Sequence, residues 1–267
     1  MDLLMHPVQP VRPLAGYVGG KKHLARRLAD RMRAIPHDLY GEAFVGMGGV
    51  FLRRTYAPKV EVINDLSGDV ATLFRVLQNH YQALMDMLRW QLTSREEWTR
   101  LNGLDPERLT DLQRAARFLY LQRQSFGGKV AGRSFGIDTG SSGAFDVHAL
   151  GPLLQAVHER LSGVWIERLG WSEFLDRWDR EGALFYFDPP YLGTERFYGK
   201  DAFDVGQFAR LARRLRDLKG RWMVSLNDHA EVRRIFQGFP VEEVKVRYST
   251  GLQPGTIAGE LIITDGR

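Results

Sequence analysis

The chain of 267 residues reads as an α/β protein in which a mainly parallel sheet, covered by helices on both faces, carries a helical and loop-rich insertion. Three observations predict this. Short β-rich runs and an amphipathic helix alternate near the N-terminus. The alternation gives way to helices and a glycine-rich stretch in the middle, and it resumes from about residue 164 onward. Strands separated by helical crossovers argue for parallel pairing with both faces covered.

In chain order, the spacing of Leu24, Leu28, Met32 and Ile35 predicts a helix over 23–35, opening from the tight loop Gly19-Gly20-Lys21. Strand-like runs follow at 39–45 and 60–64. The first leads into Gly46-Met47-Gly48-Gly49 and the second ends at Asn64-Asp65. A helix around 50–56 between them would complete a βαβ start. Val70, Leu73, Phe74, Leu77, Tyr81, Leu84 and Leu88 form one long helical stripe, and Pro106 is expected to open another helix through Leu112, Ala116 and Leu119. Residues 125–145 lose helical periodicity and are rich in glycine, which fits a long loop or a hairpin turning near 140–143. A helix over 149–161 closes the insertion. Then come a strand at 164–168, a helix at 172–178, a buried strand at 184–187, a helix at 207–218, and strands at 222–226, 241–248 and 261–264.

Composition narrows the function classes. Thirty-seven Lys and Arg against 32 Asp and Glu give a net charge of +5, weak grounds by itself for a polyanionic partner. The chain has no cysteine, which excludes disulfides, thiolate metal sites and a cysteine nucleophile. Its seven histidines show no metal-ligand spacing, so no metal is expected. No apolar run approaches the length of a membrane span, and no basic-then-apolar leader stands at the N-terminus. A cytoplasmic protein without a membrane partner is the expectation.

The strongest local signal is Leu184-Phe185-Tyr186-Phe187-Asp188-Pro189-Pro190-Tyr191. A buried strand delivers a carboxylate to its C-terminal end, the edge where open α/β sheets bind ligands. Two prolines then fix the backbone and donate no hydrogen bond, leaving carbonyls as acceptors, and Tyr191 adds a flat aromatic face. The glycines at 46, 48 and 49 permit a sharp turn and close approach of a ligand to the backbone; a plain strand-to-helix loop is the other reading. Asp65, just past a strand, suits either two ribose hydroxyls or a helix N-cap. Lys21 suits a cofactor carboxylate or open solvent, and Tyr17 a cofactor face or the core.

Asp188-Pro189-Pro190-Tyr191 resembles the catalytic motif of amino-methyltransferases acting on nucleobases. Other segments resemble one branch of these, the Dam-like (D12) class of DNA adenine N6-methyltransferases. Tyr17-Val18-Gly19-Gly20-Lys21 is similar to that class's aromatic-x-Gly-Gly-Lys element. The segment Glu42-Ala43-Phe44-Val45-Gly46-Met47-Gly48 resembles its Glu-Pro-Phe-x-Gly-x-Gly cofactor loop, with Ala43 where Pro is usual. Asp65 matches the acidic residue closing the second strand, and Phe126-Gly127-Gly128 resembles a Phe-Asn-Gly element of the recognition hairpin, with Gly127 in place of Asn. Ser225-Leu226-Asn227-Asp228 resembles a late motif less closely. The match covers nearly the whole chain, in the order of the α arrangement.

The resemblance implies a class I S-adenosylmethionine-dependent methyltransferase fold, a Rossmann-like mixed sheet formed by residues 1–66 and 160–267. Residues 67–159 are then an inserted helical target-recognition domain. It implies S-adenosylmethionine as cofactor, contacted by Tyr17, Lys21, Glu42, Phe44, Gly46, Gly48, Asp65 and Asp188, with Asp188, Pro189, Pro190 and Tyr191 catalytic. Double-stranded DNA is the expected partner, and a monomer the expected form. Between 121 and 137, Arg123, Lys129 and Arg133 occur without any acid, which would suit phosphate contact or base reading, although a solvated basic loop shares that composition. The run Arg210, Arg213, Arg214 and Arg216 reads rather as a solvated helix face. Methylation of cytosine N4, action on RNA, and a silent DNA-binding protein on the same fold are the rival readings.

Overall fold

A computed structural model describes residues 5–136, 145–193, 203–247 and 257–267. In chain order the strands are β1 (Met5–Pro7), β2 (Leu39–Glu42), β3 (Tyr56–Pro58), β4 (Val60–Asn64), β5 (Trp165–Glu167), β6 (Ala183–Phe187), β7 (Arg221–Asn227), β8 (Val241–Arg247) and β9 (Ile257–Thr264). The helices are α1 (Ala25–Arg33), α2 (Gly68–Asn79), α3 (Tyr81–Leu88), α4 (Arg95–Asn102), α5 (Asp111–Gln124), α6 (Val147–Arg160), α7 (Trp171–Trp178), α8 (Val205–Arg216) and α9 (Ala230–Ile235). Seven strands form the main sheet in the order β5-β4-β2-β6-β7-β9-β8, and β1 pairs with β3 in a separate ribbon. From β5 to β7 all neighbours are parallel; β9 runs antiparallel to both β7 and β8.

Alternation along the strands divides the core in two. Tyr40, Ile63, Leu184, Tyr186, Met223 and Ile262 face α1 and the helices between β4 and β5. Leu39, Val62, Phe185, Phe187, Val224 and Ile263 face α7, α8 and α9. Both faces are therefore covered, as the alternating pattern predicts. At Gly41 the second layer comes so close that a Cβ would lie 2.6 Å from the Phe185 ring and 3.2 Å from Phe174. Gly41→Ala is expected to lower stability by about 1–3 kcal/mol through overpacking, seen as a lower urea midpoint with an unchanged m-value.

The helices between β4 and β5 share the first core with the sheet. Val70, Phe74, Leu77, Phe118, Leu121 and Leu154 pack in one cluster with Leu28, Tyr40 and Phe51. A buried ion triad adds to this. Glu61 on β4 accepts from Arg54 at 2.6 Å and from both terminal nitrogens of Arg160 on α6 at 2.6 and 2.7 Å.

Several elements differ from the sequence reading. The helix expected around 50–56 is a single 3-10 turn, Phe51–Arg53. Val50, Phe51 and Leu52 are all buried, so no solvent-facing stripe exists, and the chain turns extended at Arg54 to pair β3 with β1. The long stripe over 70–88 breaks at His80, whose backbone leaves the helical region, so that α3 can pack against α5 and α6. Pro106 opens only a 3-10 turn; α5 starts at a capping box formed by Thr110 and Gln113. The short elements β1, β3, α4 and α9 were not anticipated. The turn expected near 140–143 lies outside the described residues.

Candidate active site

The sheet order reverses between β2 and β6. From β2 the chain proceeds to β4 and β5 on one side, then returns to β6 on the other, beyond which lie β7, β9 and β8. Crevices at such reversals, beyond the carboxyl ends of the strands, are where α/β sheets hold ligands. Here a cavity of about 880 Å³ opens, lined among others by Tyr17, Lys21, Glu42, Phe44, Gly46, Asp65, Asp188, Pro190 and Glu260.

Three strand ends feed it. Beyond β2 the loop turns through Gly46 and Gly48, whose φ angles of +50° and +74° favour glycine. A Cβ on Gly46 would lie 3.0 Å from the Tyr17 ring, so bare backbone faces an aromatic plane there. Gly48 shapes the turn from behind the cavity wall, where a Cβ would meet Leu52. Beyond β4, Asp65 accepts the Gly46 N–H on one oxygen and the Ser67 N–H on the other, both at 2.9 Å. The N-cap of α2 is Ser67, not Asp65. Buried Asn64 fastens these loops together, donating to Ala43 and Leu169 carbonyls at 3.0 Å and accepting the Leu169 N–H at 2.9 Å.

Beyond β6 stands Asp188. Its Oδ1 accepts from Lys21 Nζ at 2.5 Å and from Ser225 Oγ at 3.3 Å; among the described residues both contacts fall on that one oxygen. Lys21 is 3% exposed and also donates to Tyr191 Oη at 2.6 Å and to the Gly19 carbonyl at 3.1 Å. An ammonium has three donors, and all three are engaged. The structure thus turns Lys21 toward Asp188 and Tyr191 rather than toward an open carboxylate site. Ser225 also pairs with Tyr186 Oη at 2.7 Å, and Asn227 Nδ2 holds the Leu192 carbonyl at 3.2 Å. Ser225 and Asn227 belong to the late motif, and with Glu260 they are the residues that sequence reasoning left without a role.

Burial dominates the electrostatics. It pushes the Asp188 carboxyl up to about 6, with Lys21 pulling the other way and the charge of Glu260 adding to the rise. Asp65 is likewise raised by burial to about 6, against the pull of its two amide donors. Glu42, 2% exposed, rises to about 8 through burial, countered by the hydrogen bond from Tyr40 Oη at 2.7 Å and reinforced by the charge of Asp188.

Residues 17–250 match the family described as D12 class N6 adenine-specific DNA methyltransferase. The chain belongs to that family. Among its relatives are the type II methyltransferase M1.LlaDCHI of Lactococcus lactis subsp. cremoris, 24% identical with 99% of each chain covered, and the type II methyltransferase M.MjaIII of Methanocaldococcus jannaschii, 25% identical over 88% of this chain and 91% of the relative. The reaction is accordingly methyl transfer to adenine N6 in DNA, and membership implies S-adenosylmethionine as the donor in general terms.

The residues expected to face DNA in this methyltransferase are placed unevenly. Arg123 lines the cavity and donates to the Leu14 carbonyl at 2.7 Å. Beside it Arg12, Lys22, His23 and Arg53 make a basic rim that the sequence alone did not single out. Lys129 is partly buried and does not itself line the cavity, although its neighbours Gly128 and Val130 do. Arg133 does not project. Its guanidinium lies 5.5 Å from the Phe118 ring centroid and donates to Gln122 Oε1 at 3.4 Å. On α8, Arg214 pairs with Asp176, and Arg216 reaches the Gln237 carbonyl and lies over Phe239, leaving Arg210 and Arg213 exposed on that helix. Among the described residues no cluster of three His, Cys, Asp or Glu could hold a metal, and no helix is long and apolar enough to cross a membrane.

Proposed function

We propose that adenine is methylated at the Asp188–Tyr191 turn, with S-adenosylmethionine held in the adjoining cavity. The observation that carries this reading is the pairing of Asp188: Oδ1 is engaged by Lys21 and Ser225, which leaves Oδ2 as the acceptor for a substrate at the cavity. The residues present fit the cofactor. The cavity wall that Gly46 and the Tyr17 ring packed on it form together suits a flat adenosine, and each oxygen of Asp65 retains a lone pair for a ribose hydroxyl. Tyr17, Phe44, Gly46 and Asp65 would hold its nucleoside, with Gly48 shaping the turn from behind and Glu42 and Lys21 near the reacting end. When bound, S-adenosylmethionine supplies an electrophilic methyl on a sulfonium.

The protein's own part is orientation and acceptance of hydrogen bonds. An adenine amino nitrogen is a poor nucleophile because its lone pair is delocalised into the ring. Asp188 Oδ2 and the Pro189 carbonyl accept its two N–H groups and favour a pyramidal nitrogen, while Pro190 fixes the turn. Tyr191, whose hydroxyl is anchored by Lys21, offers a face for a base that has left the duplex stack. Asp188 Oδ2 is also the nearest acceptor for the proton that the methylated nitrogen sheds. In this reading residues 67–159 form the target-recognition insert on double-stranded DNA, with Arg123, Lys129 and Arg133 as its contacts, and one chain carries every group required. The two type II relatives favour a modification enzyme of that kind.

The pH dependence of kcat/KM tests the site. Asp188 accepts only as a carboxylate, and its raised value means that protonation sets in near pH 6. Lys21, Glu42, Glu260, Ser225, Tyr186 and Tyr191 surround it. Activity should hold above that value and fall along an acid limb with a midpoint at about 6. Cofactor affinity measured by calorimetry should weaken over the same range, because Asp65 protonates there too. Flat profiles from about pH 5 to 8 would contradict the assignment of both carboxylates.

A further inference from the structure

We propose that Gln122 is a positioning residue that couples the DNA-reading arm to the cofactor-side loop, so that occupancy of one site strengthens binding at the other. The inference rests on the site reading above, in which the loop carrying Tyr17 and Lys21 faces the cofactor and the arm at residues 125–136, which carries the inward-turned Arg133, meets DNA.

Gln122 sits near the end of α5 and is 2% exposed. Its amide nitrogen donates to the Gly16 carbonyl at 2.9 Å and to the Gly128 carbonyl at 2.7 Å. These carbonyls flank the two loops in question, one just before Tyr17 and the other just after Phe126-Gly127. The loops also touch directly. Val18 N–H donates to the same Gly128 carbonyl at 3.1 Å, and a Cβ on Gly128 would lie 2.7 Å from Gly16 C and Tyr17 N. No side chain stands between the two backbones, so a shift of one is passed to the other.

The remaining polar atom of Gln122, Oε1, accepts from Arg133. Among the described residues Arg133 Nε has no partner, and burial lowers its pKa. DNA offers such a guanidinium better acceptors than a 3.4 Å contact. One buried amide therefore touches the arm at Gly128, the arm's arginine, and the start of the Tyr17 loop. A ligand that fixes the Tyr17 loop orders Gly128, and an arm ordered on DNA fixes the Tyr17 loop in return, since coupling between two binding equilibria is reciprocal.

The test uses the full chain, S-adenosylhomocysteine as the cofactor-site probe, and a duplex bearing the sequence found methylated. DNA affinity is measured by anisotropy with and without the probe. For the wild type the probe should tighten DNA binding at least about fivefold. Gln122→Met keeps the size of the side chain but removes its donors and acceptor. It should bring that factor below about twofold while DNA affinity without the probe changes little, a split that general destabilisation does not produce. If Gln122→Met fails to fold, Gln122→Glu, which retains an acceptor for Arg133 but no donor, should show the same loss. An unchanged coupling factor in a folded variant, or no coupling in the wild type, overturns the proposal. Asp65→Ala separates the two layers. If it binds the probe as the wild type does, the site reading falls and the coupling proposal with it. If it loses the probe while Gln122→Met keeps the coupling, the coupling proposal alone fails.

Discussion

Asp188→Asn should lower the rate of methyl transfer at saturating cofactor and DNA by at least about a thousandfold, the upper range for loss of one preorganised group at a reacting centre. The side chain keeps its shape, but one oxygen becomes an NH₂ that donates where the adenine amino group also donates. The change also leaves the Lys21 ammonium, engaged with Asp188 at 2.5 Å, without its counter-charge. Lys21 keeps the Tyr191 hydroxyl and the Gly19 carbonyl as partners, so the fold should persist. Cofactor and DNA dissociation constants should therefore move far less than the rate. Single-turnover kinetics with labelled methyl donor give the chemical step directly. A residual rate within about tenfold of the wild type would remove Asp188 from the catalytic role.

Asp65→Ala should weaken cofactor binding by about 1.5–3 kcal/mol, the range for hydrogen bonds to a charged group. Two effects contribute in the same direction. The carboxylate is lost as an acceptor for ribose hydroxyls, and the N–H groups of Gly46 and Ser67, each held at 2.9 Å, lose their partner. The glycine turn at Gly46 then loses the contact that aligns it with the end of β4. Affinity for DNA measured without cofactor should barely move, because in the proposed reading Asp65 holds the cofactor and not DNA. Calorimetry on the two equilibria checks both halves, and unchanged cofactor affinity would overturn the reading of the pocket.

The frame of the site was readable because it depends on local chemistry. A run of apolar residues ending in Asp188-Pro189-Pro190 announces a buried strand with an abrupt exit, and glycines 46, 48 and 49 announce a turn. Asp188, Asp65 and the turn do converge on one cavity. What could not be read was pairing over long separations. Lys21 and Asp188 stand 167 residues apart, and nothing in either neighbourhood indicates that the ammonium meets the carboxylate. Ser225 and Gln122 are ordinary polar residues of a strand and a helix, and only the fold gives them Asp188, Gly16 and Gly128 as partners. The inward turn of Arg133 likewise depends on Phe118 and Gln122, which lie one helix away. Short elements such as β1 and α9 carry too few residues to show a period, although Ser94 followed by Glu97 does carry the capping pattern that starts α4.

The common core beneath the sheet constrains how such an enzyme changes its target. Leu28, Tyr40 and Phe51 pack in the same cluster as Phe74, Phe118 and Leu154, and Glu61 is clamped between Arg54 and Arg160, the last residue of α6. Removal of one partner from a buried ion pair costs about 3–5 kcal/mol. Under the proposed division of the chain, a cassette comprising residues 67–159 therefore cannot be grafted between relatives as an independent unit, because the cut runs through one continuous hydrophobic cluster and α6 must still end in register for Arg160 to meet Glu61. Under the proposed reading, new specificities on this scaffold arise within the arm at 125–136 while the Gly128 contact that ties the arm to the body is retained; Gly127 and Gly132 have open space around them, but their φ angles of +67° and +60° keep them glycine.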